Sequence, residues 1–313
     1  MTRLSAVVAV CALLTGAMSA VGCSSPDTPP ANECLGTGAD ALKTCAKGTT
    51  ITGIDISYYQ GNVSWSQVKG SGRDFAFSRI SDGLKHPDTK WAQNWPAMKA
   101  AGLVRGGYQF FRPSQDAGLQ AQMVLDKLAA AGGLQPGDLP PVLDLESADG
   151  LASSVVVAKA KVWLAKIEAA IGMKPIVYTA AFMSDVIGTN FSGYTLWVAN
   201  YQTTCPTMPS GWTDWHFWQN SDSGSVPGVT GNTDVNFFNG TLAQLKTLTL
   251  QAAKPDAGPG TMPPAEKNIT DYGFDDLDFG DIKPNDGSQG ETIGSADRPK
   301  TPETQSAILT PCR

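Results

Sequence analysis

The chain has 313 residues, with 29 acidic and 23 basic side chains, a formal net charge of −6, six cysteines and two histidines. At 42% hydrophobic it can bury one large core or two small ones. The acidic balance argues against nucleic acid as an electrostatic partner, and two distant histidines (His86 and His216) argue against a multi-histidine metal site.

Residues 1–22, MTRLSAVVAVCALLTGAMSAVG, read as a signal peptide. Arg3 supplies the positive start, Leu4–Leu14 is mostly apolar and small residues follow. The run is short for a membrane span. Cys23, directly after Ala20-Val21-Gly22, resembles the acylated cysteine of a bacterial lipoprotein box; plain secretion is the alternative. The chain is therefore expected to be exported, held at a bacterial membrane through a lipid on Cys23, and monomeric. Residues 23–48 form a lipidated, cysteine-bearing linker whose Pro/Ser stretch Ser24–Asn32 has nothing to bury. With Cys11 cleaved away and Cys23 acylated, Cys34, Cys45, Cys205 and Cys312 allow three pairings, of which a short Cys34–Cys45 loop is favoured.

Residues 49–250 alternate short apolar runs with helical spacing. The strands expected are Gly53–Ser57, Phe75–Ile80, Val104–Phe111, Pro141–Glu146, Pro175–Thr179, Thr195–Asn200, His216–Gln219 and Asp234–Phe238. Helices are expected before Gly102, over Ser114–Ala131 with Ser114 as N-cap, and over Ser154–Ile171 ended by Gly172. This order predicts an α/β fold with a parallel sheet, closed as a TIM-like barrel. The last three connections are too short and too rich in Gly, Pro, Thr and Asn for full helices, so bare strands are expected there. Residues 251–313 lack periodicity. The stretch 254–313 holds 11 acids and six bases, which is most of the net charge. It reads as a solvated acidic tail, with a calcium loop over Asp275–Asp281 as the alternative.

In such barrels chemistry gathers where strands end. Asp55 lies in the first strand, and Asp144 and Glu146 close the fourth in VLDLES. Residues two apart share a face of a strand, so Asp144 and Glu146 enter the barrel mouth together while Leu145 turns outward. Two carboxyls so close cannot both ionise freely; one stays protonated. An acid beside an ionised carboxylate is the equipment for cleaving a glycosidic bond. Tyr58, Tyr108, Tyr178, Trp197 and Trp218 stand at or near strand ends, where rings could stack on sugars. No cofactor or metal is called for.

The segments GIDISYYQGNVSW (53–65), FAFSRISDG (75–83), AAGLVRGGYQFFRP (100–113), PPVLDLES (140–147) and WHFWQNSDSGSVPGVTGNTDVNFFNG (215–240) occur in an order that resembles glycoside hydrolase family 25, over residues 51–246. The resemblance implies a barrel of β/α units followed by bare strands. It implies hydrolysis of the β-1,4 bond between N-acetylmuramic acid and N-acetylglucosamine in peptidoglycan. Glu146 matches the family's general acid and Asp144 its orienting partner. Asp55 matches the acid of the first strand, and Asp234 the acid of the closing strand motif. The chain departs from the family at Tyr58, Tyr59, Gln109 and Asn220. Two other readings stay open here: a non-catalytic peptidoglycan-binding lipoprotein, and a glycosidase of another N-acetylhexosamine polymer.

Overall fold

The computed structural model describes residues 41–252; the expected signal peptide, Cys23, Cys34, Cys312 and nearly all of the acidic tail lie outside the described residues. In chain order the strands are β1 (Ile51–Ile56), β2 (Phe75–Asp82), β3 (His86–Pro87), β4 (Val104–Phe110), β5 (Val142–Asp144), β6 (Ile176–Ala180), β7 (Thr195–Ala199), β8 (Phe217–Gly224) and β9 (Thr233–Phe238). The helices are α1 (Trp65–Gly70), α2 (Trp91–Ala100), α3 (Ala117–Ala130), α4 (Ser153–Ile171), α5 (Ser184–Ile187) and α6 (Leu242–Thr247). Sheet order runs β1-β9-β8-β7-β6-β5-β4-β2, and pairing of β1 with β2 closes an eight-stranded ring, with the two-residue β3 appended to β2.

The barrel is mixed, not parallel as expected. Strand β9 runs antiparallel to both β1 and β8, while the other barrel pairs are parallel. The cause is the short 225–232 connection. A parallel return needs a crossover of a dozen or more residues, and this stretch can only turn back. Helices α1 to α4 follow the first strands. A 3-10 turn and the four-residue α5 are all that lies between β6 and β7, and no helix lies between β7 and β9.

Alternation along the strands builds two apolar layers. Phe75, Phe77, Val104, Val142, Ile176, Trp197, Phe217 and Phe238 fill the barrel interior. Ile54, Ile80, Leu143, Val177, Leu196 and Val198 point outward and pack beneath the helices with Trp95, Val124, Trp163 and Leu164. A Cβ on Gly53 or Gly106 would strike the rings of Phe75 or Phe77, so these two glycines make room for the large interior side chains. Helix α3 starts at Ala117, not Ser114. Asp116 caps it by accepting from the Leu119 N–H at 2.7 Å, while Ser114 is drawn to Asp149. Helix α4 ends as expected on Gly172, whose φ of 69° suits a residue without a Cβ.

The expected Cys34–Cys45 pairing is overturned: Cys45 is bonded to Cys205, across a sequence separation of 160. Spacing could not reveal this, because residues 43–47 lie along the β7–β8 connection. Lys43 bridges Thr207, Trp215 Nε1 donates to Thr44 O at 2.8 Å and Lys47 pairs with Asp214. The double variant Cys45→Ser/Cys205→Ser is expected to lose about 2–5 kcal/mol of stability, read from denaturant midpoints. An unchanged midpoint would show that the bridge constrains nothing in the unfolded chain.

Candidate active site

Four carboxyl groups meet at one end of the barrel. Asp55 lies near the end of β1 and Asp144 closes β5. Because β9 is reversed, its first residues come to this same mouth, and Asp234 stands directly opposite Asp55 in register. Directly opposed residues of an antiparallel pair share a face. The expected strand through Glu146 stops at Asp144, yet the extended path continues, with Leu145 N–H donating to Tyr178 O at 2.9 Å. Leu145 therefore enters the outer apolar layer, and Asp144 and Glu146 fall on the mouth side. Among the described residues no group of three or more His, Cys, Asp or Glu is placed to hold a metal ion.

Below the acids lies a polar network. Asp55 is buried, and its Oδ2 accepts from Gln219 Nε2 and Asn236 Nδ2, each at 2.8 Å. Gln219 Oε1 accepts from the hydroxyls of Tyr178 (2.8 Å) and Tyr201 (2.6 Å), and Asn236 Oδ1 from Trp197 Nε1 (2.8 Å). Asp144 Oδ1 is buried with no hydrogen-bond partner among the described residues.

Burial raises the proton affinity of all four acids, because a charged carboxylate loses its water there. The Glu146 carboxyl is pushed up to about 7, first by burial and then by the charge of Asp55, against the pull of Arg112. Asp144 is held well above the usual carboxylate range by burial and by Glu146 and Asp55, opposed by Arg79. Asp55 is raised by burial, but its bonds to Asn236, Gln219 and Asp234 resist the rise. Asp234 is pushed up to about 9 by burial and by the neighbouring Asp55, with which it shares a hydrogen bond.

Asp234 thus keeps its proton to about pH 9 when folded, yet releases it near its ordinary value of 3.8 when unfolded. The stability it contributes is full below about pH 4 and is lost as pH rises through about 9. Asp234→Asn cannot ionise and can still donate to Asp55. Its melting temperature at pH 8 is expected to exceed wild type, by about 2–4 °C for each kcal/mol gained. At pH 4 the two proteins should melt together; an equal difference at both pH values would refute the linkage.

The expected aromatic residues separate into four places. Tyr108 and Tyr178 line the interior wall beside the acids, and burial raises both hydroxyls well above their usual range. Tyr58 is exposed at the rim next to Tyr59, with the Arg79 guanidinium 5.0 and 5.5 Å from their ring centres. Trp197 is 1% exposed and stacks on Phe77 at 4.3 Å, so it is interior floor and not an open sugar platform. Trp218 is misplaced by the sequence reading. Phe217 and Gln219 take the inward positions of β8, which turns Trp218 into the outer layer, where its Nε1 donates to Asn200 O at 2.7 Å. Gln109 also faces outward, bonded to Ser81 Oγ and Trp163 Nε1, so that departure from the family pattern does not touch the mouth.

Sequence reasoning passed over Arg79 and Gln219, and met Asn236 only as the asparagine of the closing aspartate-x-asparagine motif, without a role. Counting by twos from Phe77, Phe217 and Asp234 puts all three on inward faces, but a lone arginine and the Gln219 amide carry no motif, and the motif of Asn236 does not say what it bonds. Arg79 pairs with Asp88 at 3.3 Å, and Arg112 grips Asp82 through two bonds of 2.6 and 2.7 Å. These pairs hold two cations beside a site of clustered acids.

A closed barrel whose mouth gathers partly protonated carboxyls is the frame of a glycosidase. The chain belongs to glycosyl hydrolases family 25, whose model matches residues 54–229, and it is a glycoside hydrolase. It is 36% identical over 205 residues to the uncharacterized protein YegX of Escherichia coli (strain K12), covering 64% of this chain and 73% of that one. It is 33% identical over 233 residues to lysozyme M1 of Streptomyces globisporus, covering 70% and 78%. Among solved structures, the bacterial lysozyme from Streptomyces coelicolor superposes with a TM-score of 0.59 at 32% identity, covering 64% of this chain and 97% of that one.

Proposed function

We propose that this enzyme hydrolyses the β-1,4 bond between N-acetylmuramic acid and N-acetylglucosamine in peptidoglycan, with Glu146 as general acid. The observation that carries the reading is a mouth carboxyl held to about pH 7, Glu146, two residues from the buried Asp144. Glu146 gives its proton to the glycosidic oxygen as the C1–O bond breaks. The unpartnered Asp144 Oδ1 suits the N–H of an acetamido group, and a donor there favours the ionised Asp144 that supports the positive charge developing at the anomeric carbon. The Glu146 carboxylate then takes a proton from the incoming water, which restores the acid. The exposed rings of Tyr58, Tyr59, Phe182 and Tyr201 offer apolar faces to the sugars of a long chain.

The test is digestion of purified sacculi. Products with N-acetylmuramic acid at the new reducing end support the reading; N-acetylglucosamine ends, or preferential cutting of chitin, refute it. The working acid is the protonated Glu146, so kcat/KM is expected to fall about tenfold per pH unit above about 7. A rate that climbs steadily to pH 9 would exclude Glu146 as the proton donor. We further propose export and lipid anchoring through Cys23. Labelled fatty acid should enter the wild-type protein and not Cys23→Ala.

A further inference from the structure

Gln219 is 4% exposed and engaged at both ends of its amide. The two ends of a carboxamide have nearly the same shape, so partners alone decide which way it points. A phenol can donate or accept, so the Asp55 carboxylate selects the N–H end, and the hydroxyls of Tyr178 and Tyr201, both donating into Oε1, hold the amide in that orientation. Asn236 is set in the same way from the next strand. Its oxygen takes the proton of the Trp197 indole, a group that can only donate, so its N–H must also face Asp55. One carboxylate oxygen thus collects two amide donors, while Asp234, across the register, receives neither.

We propose that Gln219 is a positioning residue: clamped by Tyr178 and Tyr201, its N–H fixes Asp55 as the ionised member of the Asp55–Asp234 pair and leaves the shared proton on Asp234. The inference rests on the hydrolase reading above. A charge fixed at Asp55 is preorganised to face the cationic centre that forms on bond cleavage, and it is one of the charges that keep the proton on Glu146. Tyr201 is 38% exposed, on the β7–β8 connection that also carries the bridged Cys205, so part of the clamp is held from outside the barrel.

The experiment follows the aspartate carboxyl carbons by NMR titration of the full chain. It compares wild type, Tyr201→Phe, Tyr178→Phe/Tyr201→Phe and Gln219→Glu, with turnover of purified peptidoglycan measured beside it. In wild type Asp55 should ionise at lower pH than Asp234. In the double tyrosine variant Oε1 loses both of its donors and the amide is held only at Asp55, so the two ionisations should draw together by about one pH unit. Turnover in that variant should drop about 10- to 100-fold in kcat, with KM within about twofold. Gln219→Glu keeps the shape but donates only while protonated, so it should work near wild type at pH 5 and lose more than about tenfold beyond wild type by pH 8. A separation between the two ionisations that is unchanged in all three variants overturns the clamp, as does a Gln219→Glu pH profile that follows wild type. Wild-type protein that releases no reducing ends overturns the hydrolase reading instead, and the titration still decides the clamp.

Discussion

Glu146→Gln is expected to lower reducing-end release from peptidoglycan by about two to four orders of magnitude, the usual contribution of a general acid–base group. Glutamine has the shape of glutamic acid and can donate a hydrogen bond, but it has no proton to give to a leaving alkoxide. The fold should be untouched. Burial and the charge of Asp55 already disfavour the ionised side chain, so a neutral amide relieves the site at pH 8 rather than straining it. The variant should therefore melt at or above the wild-type temperature and still sediment with sacculi. That combination of intact binding, intact stability and lost turnover separates loss of chemistry from loss of structure. Turnover within threefold of wild type would remove Glu146 from the mechanism, whatever its surroundings.

The parts legible in the sequence were those written in a period of two. Asp144 and Glu146 flank Leu145 in an apolar run, and that spacing alone sent both acids to one face and the leucine to the other. The same alternation accounts for the inward faces of Phe75 and Phe77, which the sequence reading did not assign. It failed at Trp218 because aromatic type was weighed above parity: position 218 lies between two inward residues and so had to face out. The reversal of β9 was implicit in the short 225–232 connection, and it has a functional consequence. Only an antiparallel closing strand brings the start of DVNFF, and with it Asp234, to the end of the barrel where the parallel strands finish. Cys45–Cys205 was not legible, since nothing local to either cysteine records that residues 43–47 lie beside the β7–β8 connection. Gln219, and the part played by Asn236, were hidden for a chemical reason. An amide is informative only once its partners are known, and those come from β1, β6, β7 and the segment after β7.

Not every buried acid serves the mouth, and Asp138 supplies the contrast. It precedes β5, is 1% exposed, and takes two bonds from Arg105, Nε at 2.9 Å and Nη2 at 2.8 Å. Lys99 Nζ and the Gln135 N–H also donate to it, at 2.9 and 2.7 Å. Arg105 sends Nη1 to Trp95 O at 2.6 Å and lies 3.8 Å from the Trp95 ring centre, beneath α2. Asp138 thus takes every one of these donors, unlike Asp144, whose buried Oδ1 has no partner among the described residues. Removing one member of such a pair strands a guanidinium in the core. Asp138→Ala is expected to destabilise the barrel by about 3–5 kcal/mol in denaturant unfolding. The double variant Asp138→Leu/Arg105→Met removes both charges and should regain most of that loss, since apolar replacements of buried ion pairs are often neutral. The double variant should keep turnover close to wild type, because Arg105 points outward from β4 while the acids of the mouth point inward. A stable Asp138→Ala would show that water reaches the pair. A double variant that folds but loses turnover would show that the α2 side of the barrel shapes the mouth, and the division of this chain's buried acids into structural and chemical sets would then fail.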